Sequence, residues 1–108
     1  MIDRLMLAIV QVQDEQKATR ALTAAGLQVT RLSSIGAFLG RRNVTLLIGL
    51  NQVQEDTAVQ AIQANCHERV EYVSTPLEGA PLPIPLSTPI VVGGAIVFAF
   101  SVERFEEL

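Results

Sequence analysis

Three apolar runs constrain the fold of this chain more than any other feature of its sequence. They are LMLAIV near the N-terminus, LLIGL in the middle and IVVGGAIVFAF near the C-terminus. Each is shorter than the roughly 20 apolar residues that a membrane-spanning helix needs, so we predict strands and no membrane insertion. Because the runs are apolar at consecutive positions, both faces of the resulting sheet need cover.

Two segments with helical periodicity lie between the predicted strands. The first is predicted over about residues 15–25, with Asp14 as its N-cap and Gly26 at its C-terminal end. The second is predicted over about 53–66 and follows NQVQ at 51–54, which resembles a capping box. The apolar faces of the two helices are predicted to hold Ala18, Ala21, Leu22, Ala25, Ala58, Val59, Ile62 and Cys66.

Strands and helices therefore alternate as β-α-β twice. The strands are predicted at 5–12, 27–34, 44–50, 69–75 and 90–100, with a proline-rich loop at 76–89 and a short helical turn at 102–108. Two such halves in one sheet give an α+β, ferredoxin-like fold, βαββαβ plus an additional C-terminal strand. No linker divides the chain, so residues 1–108 are expected to form a single domain. Since both helices would lie on one face, oligomerisation is the simplest cover for the other.

Charge is unevenly distributed along the chain. The net charge of −3 argues against a broad basic face for a nucleic acid polymer. Residues 16–54 nevertheless contain no acid and hold Lys17, Arg20, Arg31, Arg41 and Arg42. The last two belong to the loop 36–43, which also contains two glycines and a phenylalanine. This combination indicates a site for one compact anionic ligand that carries a base.

Other chemistries find little support in the sequence. One cysteine and one histidine cannot supply the four ligands of a structural zinc site, and Cys66 is expected to be a buried thiol. No set of residues offers both a nucleophile and a base, so no enzymatic activity and no metal site are predicted. With no signal-peptide features and no disulfide framework, we expect a cytoplasmic location.

Three motifs in consistent order resemble those of a known family. AIVQ-Q-D, VT-L-S-GAFLGRRN-T-L-IG and VGGA-VF look like the PII-like cyclic-di-AMP receptors, which are bacterial signal transduction proteins, over roughly residues 5–106. The resemblance implies a homotrimer with three nucleotide sites in the clefts between subunits, and no catalysis. It implies cyclic-di-AMP or another adenine nucleotide as the ligand, with no other cofactor. The downstream protein partner stays unidentified.

The resemblance also implies which residues contact the nucleotide. The family pocket matches Thr30, Gly36, Phe38, Leu39, Asn43, Thr45, Gly49 and, from the neighbouring subunit, Gly94 and Phe98. Arg41 and Arg42 join this set as candidate phosphate ligands. The chain departs from the family at four positions. Gly26 and Gln28 replace an asparagine and an arginine, Ala37 replaces a glycine, and Glu107 replaces a glutamine. These departures leave open whether cyclic-di-AMP itself binds.

Each candidate also has a purely structural interpretation. Phe38 and Leu39 could plug the end of the core, Arg41 and Arg42 could be solvated, and Gly94 could serve close strand packing. The acidic tail, including Glu107, could simply be solvated. Two functions follow from these alternatives. One is a signalling module that binds a nucleotide and relays it through loops 36–43 and 76–89; the other is a trimeric protein-interaction module that has lost nucleotide binding.

Overall fold

The computed structural model describes residues 1–32, 37–38, 41–76 and 85–108, with the backbone alone at 37–38, 41–42, 73–76 and 85–88. Its elements, in chain order, are β1 (Arg4–Gln11), α1 (Val12–Ala24), β2 (Gln28–Leu32), β3 (Ala37–Phe38), β4 (Arg41–Leu50), a 3₁₀ turn (Gln52–Gln54), α2 (Glu55–Cys66), β5 (Arg69–Pro76), β6 (Pro85–Val92) and β7 (Ala95–Ser101). The main sheet is antiparallel with the order β2-β4-β1-β7, and β3 pairs with β4. The predicted α+β, ferredoxin-like fold is confirmed.

One face of the main sheet forms the core beneath the two helices. Strands β1 and β4 alternate between fully buried and partly exposed positions, as expected when only one face of a sheet is covered. Each helix buries a stripe of side chains spaced four residues apart. The core residues are Met6, Ala8, Val10, Ala18, Leu22, Leu27, Val44, Leu46, Ile48, Leu50, Ala58, Ile62 and Cys66. The prediction is wrong for Ala25 and Val59, which are exposed because they lie off these stripes.

The other face, here called the open face, is not covered by either helix. Its side chains are predominantly apolar, and several are two-fifths to one-half exposed. Phe98 and Phe100 on β7 stack with ring centroids 6.5 Å apart. The strand registers place on this face Gln28, Thr30, Leu32, Leu5, Leu7, Ile9, Asn43, Thr45, Leu47, Gly49, Ile96, Phe98 and Phe100.

The ends of the helices combine confirmed and wrong predictions. Gly26, at φ +83°, terminates α1 as predicted, and the bonds Gly26 N–H to Thr23 O and Leu27 N–H to Leu22 O form a Schellman motif. The capping box is also confirmed, since Asn51 and Gln54 each bond the other's backbone N–H. Asp14 is not the N-cap of α1. The helix begins at Val12, and Asp14 lies buried within its first turn.

The C-terminal third differs most from the prediction. Residues 90–100 do not form one strand, because Gly93 and Gly94 both adopt positive φ and separate β6 from β7. Strand β7 pairs with β1, whereas β5 pairs only with β6 in a two-stranded ribbon outside the main sheet. Both strands of a ribbon are edges, which tolerate the prolines at 76, 85 and 89. The proline-rich segment is therefore partly strand.

Two further findings concern the tail and the helices. Residues 102–108 form no helical turn, and Val102 N–H donates to Asp3 O instead, which holds the start of the tail beside the N-terminus. Among the described residues, neither helix has the length and apolar character that crossing a membrane requires.

Candidate functional site

Four of the predicted ligand residues lie together at the β2–β4 side of the open face. Thr30 on β2 is opposite Leu47 on β4, so the side chain of Thr45 and the bare backbone of Gly49 flank it diagonally on the same face. Asn43 lies two residues before Thr45 on β4 and is opposite Gln11 of β1. The antiparallel register, which sequence spacing alone does not fix, therefore brings these residues into one row.

The remaining predicted residues are placed differently. Gly36 and Leu39 lie outside the described residues. Phe38 and Arg41 face each other as backbone partners in the short β3–β4 pairing, and Arg42 pairs with Ala37. These pairings place the backbone of Ala37 and Phe38 beside the first two residues of β4, which directly precede Asn43. The position of their side chains relative to a ligand remains a prediction.

Phe98 and Gly94 were predicted to come from a neighbouring subunit. Phe98 lies opposite Leu7, Leu7 lies opposite Leu47, and Leu47 lies opposite Thr30. Phe98 and Thr30 are therefore separated by the full width of the four-stranded sheet. With strands about 4.8 Å apart, Phe98 and Thr30 of one subunit are about 14 Å apart. One subunit alone does not bring them together. Gly94 N–H donates to Cys66 O at the end of α2, which gives this glycine a structural role within its own subunit.

A cavity of about 310 Å³ opens beside the row formed by Thr30, Thr45 and Gly49, at the end of the sheet where β2 begins and β4 ends. Its volume is within the range of small-molecule sites. Gly26 and Gly49 form part of its wall, and around them lie the N-terminal residues, the turn that precedes α2 and the C-terminal tail. The full lining is Met1, Ile2, Gly26, Gln28, Gly49, Asn51, Gln54, Phe105 and Glu107.

Gly49 is the residue shared by the cavity and the predicted nucleotide site. A Cβ at this position would lie 2.8 Å from Cδ1 of Ile2, so the bare glycine backbone allows the N-terminal segment to pack against β4. Gly26 is different, since a Cβ there would meet no atom within 4 Å. Its positive φ serves the helix end, and its missing side chain leaves the cavity wider at that point.

The chemistry of the cavity differs from that expected of a phosphate site. Among its described lining side chains only Glu107 is charged. The amide oxygens of Asn51 and Gln54 accept the capping-box hydrogen bonds, whereas the exposed side chain of Gln28 lines the cavity. Phe105 supplies an aromatic ring, 44% exposed. The cavity can thus accept hydrogen bonds at a carboxylate and stack a flat apolar group.

The predicted concentration of positive charge does not form a patch around this cavity. Lys17 and Arg20 are carried by α1, which covers the opposite face of the sheet. Arg31 lies on the helix side of β2 and pairs with Glu15. Arg41 and Arg42 are at the far end of β4 from Gly49. Proximity along the chain is therefore a poor guide to charge here, because successive residues of a strand point to opposite faces.

A partly buried ion pair joins α1 to the ribbon. Arg69 of β5 donates from Nη2 to Oδ1 of Asp14 at 2.7 Å, and its side chain is 25% exposed while that of Asp14 is 1% exposed. The hydrogen bond to Asp14 raises the pKa of Arg69 further above its ordinary value. Burial, and secondarily the Asp14 carboxylate, raises the pKa of the Cys66 thiol to about 11. The prediction that Cys66 is a buried thiol is confirmed.

Gln11 connects the site to the same ribbon. Its backbone pairs with Asn43, and its side-chain Oε1 accepts a hydrogen bond from Gly93 N–H at 2.7 Å. Gly93 also approaches the carbonyl of His67 so closely that any Cβ would collide with it. One glutamine at the end of β1 therefore contacts both the strand that leaves loop 36–43 and the root of the β5–β6 ribbon.

Sequence reasoning missed the residues that enclose the cavity. Met1, Ile2 and Phe105 belong to segments near the chain ends, and Glu107 was considered only as a departure or as part of a solvated tail. No local pattern marks them, because the cavity forms only when the N-terminal segment and the tail meet beside Asp3 and Val102. An aromatic residue in an otherwise acidic tail was the one available signal.

Two comparisons with known proteins agree with this geometry. The crystal structure of a functionally unknown protein from Pediococcus pentosaceus ATCC 25745 superposes with a TM-score of 0.77. The two chains are 30% identical, and the match covers 100% of this chain and 99% of the other. The family model for the cyclic-di-AMP receptor matches residues 3–108, which include the open face and the whole cavity lining except Met1 and Ile2. This chain belongs to the cyclic-di-AMP receptor family.

Proposed function

We propose that this protein is a PII-like signalling receptor that binds cyclic-di-AMP or another adenine nucleotide at the interfaces of a homotrimer. The observation that carries the proposal is the row Thr30, Thr45 and Gly49 beside a cavity of about 310 Å³. These are strand residues of a rigid sheet, which is a suitable support for a binding site. The family membership supplies the nature of the ligand.

The open face supports the proposed homotrimer. Phe98 and Phe100 are each 47% exposed, and Ile96 and Leu32 are about 40% exposed, all on one side of one sheet. An apolar surface of this kind is costly to leave in water, and packing against other copies would bury it. Such packing would also bring Phe98 of one subunit toward the β2–β4 side of the next, which no single subunit achieves.

A relay is proposed through Gln11. A ligand that changes the start of β4 at Asn43 alters the pairing with Gln11, and the hydrogen bond from Gly93 carries the change to the ribbon. The ribbon leads into the second predicted signalling loop, 76–89. The relay therefore needs no long pathway, because one side chain contacts both segments. The proposed readout is a changed ribbon surface for a protein partner.

Calorimetric titration tests the proposal directly. Cyclic-di-AMP, cyclic-di-GMP, cyclic AMP, ATP and ADP are each titrated into the protein, and saturable binding of one nucleotide per subunit is expected for at least one adenine nucleotide. Phe38→Ala should weaken the binding several-fold and leave the assembly intact, since stacking of a base on an aromatic ring contributes roughly 1–3 kcal/mol. A protein that binds none of the five is not a receptor of this class.

The chemistry of the cavity favours one alternative, a trimeric interaction module that has lost nucleotide binding. Its support is the lack of a positively charged side chain among the described residues that line the cavity. A double substitution, Gly26→Asn with Gln28→Arg, discriminates the two functions. Asparagine tolerates the positive φ of residue 26, and space is available there.

In a receptor, the double variant should bind cyclic-di-AMP at least tenfold more tightly than the parent. Each restored hydrogen bond to a charged group contributes roughly 1.5–3 kcal/mol, and about 1.4 kcal/mol corresponds to tenfold in affinity. Gly26→Asn alone is the control for changes in the helix end. If neither the parent nor the double variant binds, the interaction module is the better description.

A further inference from the structure

The β5–β6 ribbon has two outer edges, and prolines distinguish them. Pro85 and Pro89 of β6 are four residues apart, so their backbone nitrogens point to the same side of the strand. Pro85 lies opposite Pro76, and two opposed prolines cost no ladder bond if they form a non-hydrogen-bonded pair. The nitrogens of both β6 prolines then point away from β5. The outer edge of β6 therefore lacks two of its N–H donors, which blocks the addition of a further strand.

The same alternation leaves the outer edge of β5 open. Gly93, four residues beyond Pro89, agrees with it, because its N–H donates to Oε1 of Gln11 at 2.7 Å and not to β5. Residues opposite an outward-directed partner are themselves directed outward in an antiparallel pair. The outward N–H groups of β5 accordingly belong to Val70, Tyr72 and Ser74. Among the described residues, no other strand pairs with this edge.

The outer face of the ribbon is apolar beside this edge. Val70 and Tyr72 are 56% and 71% exposed, and their cross-strand partners Val91 and Pro89 are exposed on the same face. A strand added to β5 places its own side chains opposite these two residues. Pairs of aromatic and β-branched residues are among the favourable cross-strand pairs, so apolar residues fit these positions.

The other face of β5 carries charge. Arg69 contacts both Glu71 and the buried carboxylate of Asp14 on this face, and the side chain of Glu71 remains 50% exposed. Glu71 therefore shares its cation with a second carboxylate. A basic residue opposite Glu71 on an added strand supplies the complementary charge. The strand that fits this edge best is one in which apolar and basic residues alternate.

We propose that the outer edge of β5 binds an extended segment of a partner protein as a third strand of the ribbon, and that apolar and basic residues alternate in that segment. Main-chain hydrogen bonds supply affinity in such an addition, and alternate side chains supply specificity. The inference rests on the proposed function, which makes the ribbon the surface that a partner reads.

Fluorescence anisotropy of a short labelled peptide of alternating valine and lysine tests the inference, and saturable binding to the parent is expected. Val70→Pro should weaken that binding about tenfold, because a main-chain hydrogen bond is lost and the proline ring obstructs the edge. Val91→Pro is the matched control. Val91 lies directly opposite Val70, and its N–H belongs to the other edge, so the affinity should be nearly unchanged.

The peptide provides two further controls, which use the parent protein and do not depend on how the proline variants fold. Methylation of all its backbone nitrogens removes the donors of both its edges and keeps every side chain, and should abolish binding. Glutamate in place of lysine should weaken binding several-fold, because like charges then face Glu71.

The outcomes that overturn strand addition are distinct. A peptide that does not bind the parent, undiminished binding of the methylated peptide, or equal losses in the two proline variants each contradict it. Native mass spectrometry tests a second copy as the occupant. If Val70→Pro alone lowers the mass of the parent's assembly, another copy of the chain occupies the edge and the inference is wrong.

Calorimetric titration of cyclic-di-AMP into the same proteins separates the inference from the proposed function. Nucleotide binding without peptide binding sinks strand addition and leaves the receptor function standing. Peptide binding without nucleotide binding supports strand addition and removes the receptor function, together with the role of the ribbon as its readout.

Discussion

On one face of the main sheet Leu46 and Ile48 are completely buried beneath the helices, whereas Leu47 on the same strand remains partly exposed on the open face. The same contrast holds between Val97, packed against the core, and its neighbour Phe98, which is 47% exposed. Along β1 and β7 the side chains on the two faces are comparably apolar. The faces differ in what packs against them, because both helices lie on the same face.

The contrast shows that a run of apolar residues indicates that a face of the sheet must be covered. It does not indicate which part of the molecule, or which other molecule, covers that face. In a sheet with one apolar face, apolar and polar residues alternate along each strand, but β1 and β7 are apolar at consecutive positions. The second face therefore needs cover from something other than the chain's own helices. Neighbouring subunits and a nucleotide base are the two occupants that we propose for it.

The largest expected effect concerns the buried carboxylate of Asp14, on the helix side of the main sheet. Replacing Arg69 by Met leaves the carboxylate of Asp14 buried without its ion-pair partner, and should lower the free energy of unfolding by about 3–5 kcal/mol. Arg104→Met is the matched control, because its pair with Glu106 is 77% and 48% exposed. Urea unfolding of both variants measures the difference. Equal losses would show that the Asp14 pair is as unimportant as a surface pair.

The next effect compares the two faces at adjacent positions. Leu46→Ala opens a cavity in the core and should lower the free energy of unfolding by about 2–5 kcal/mol. Leu47→Ala should cost less within a subunit, and its cost should depend on protein concentration if the open face is buried by assembly. Urea unfolding at two concentrations a hundredfold apart separates them. A concentration-independent loss of the same size at both positions would contradict the distinction.

A smaller effect is expected from the Cys66 thiol at alkaline pH. Burial raises its folded-state pKa from 9.0 to about 11, so the neutral thiol is the form that the fold favours. The stabilisation is complete below about pH 9 and is lost as pH rises through about 11, with a total of about 2.7 kcal/mol. Unfolding measured from pH 8 to 11 should show a steeper decline for the parent than for Cys66→Ala. Parallel declines would mean that the thiol does not contribute.

Local sequence was sufficient for much of the covered face. Helical periodicity of apolar residues identified the helices, and the capping box and Gly26 identified where they begin or end, because each signal lies within a few residues. Asp14 shows the limit of such signals. Its partner Arg69 is 55 residues away, so the sequence made it look like a cap when it is an ion-pair partner.

The open face and its site were less predictable. Thr30, Thr45 and Gly49 entered through family resemblance, and the register then placed them in one row. The split at Gly93 and Gly94 was missed because an apolar run around two glycines also fits one long strand. The cavity lining was missed because it needs Ile2, Gly49 and Phe105 to meet in space. The residue pattern could not predict these contacts, because the residues that make them are far apart along the chain.

The central claim is that the open face is completed by other copies of the chain and binds a nucleotide there. Native mass spectrometry of the protein titrated with cyclic-di-AMP tests it most directly. The account predicts an assembly of three times the 11.7 kDa subunit mass that takes up to three nucleotides. An 11.7 kDa monomer at micromolar concentration, with no nucleotide bound at saturating ligand, would contradict it.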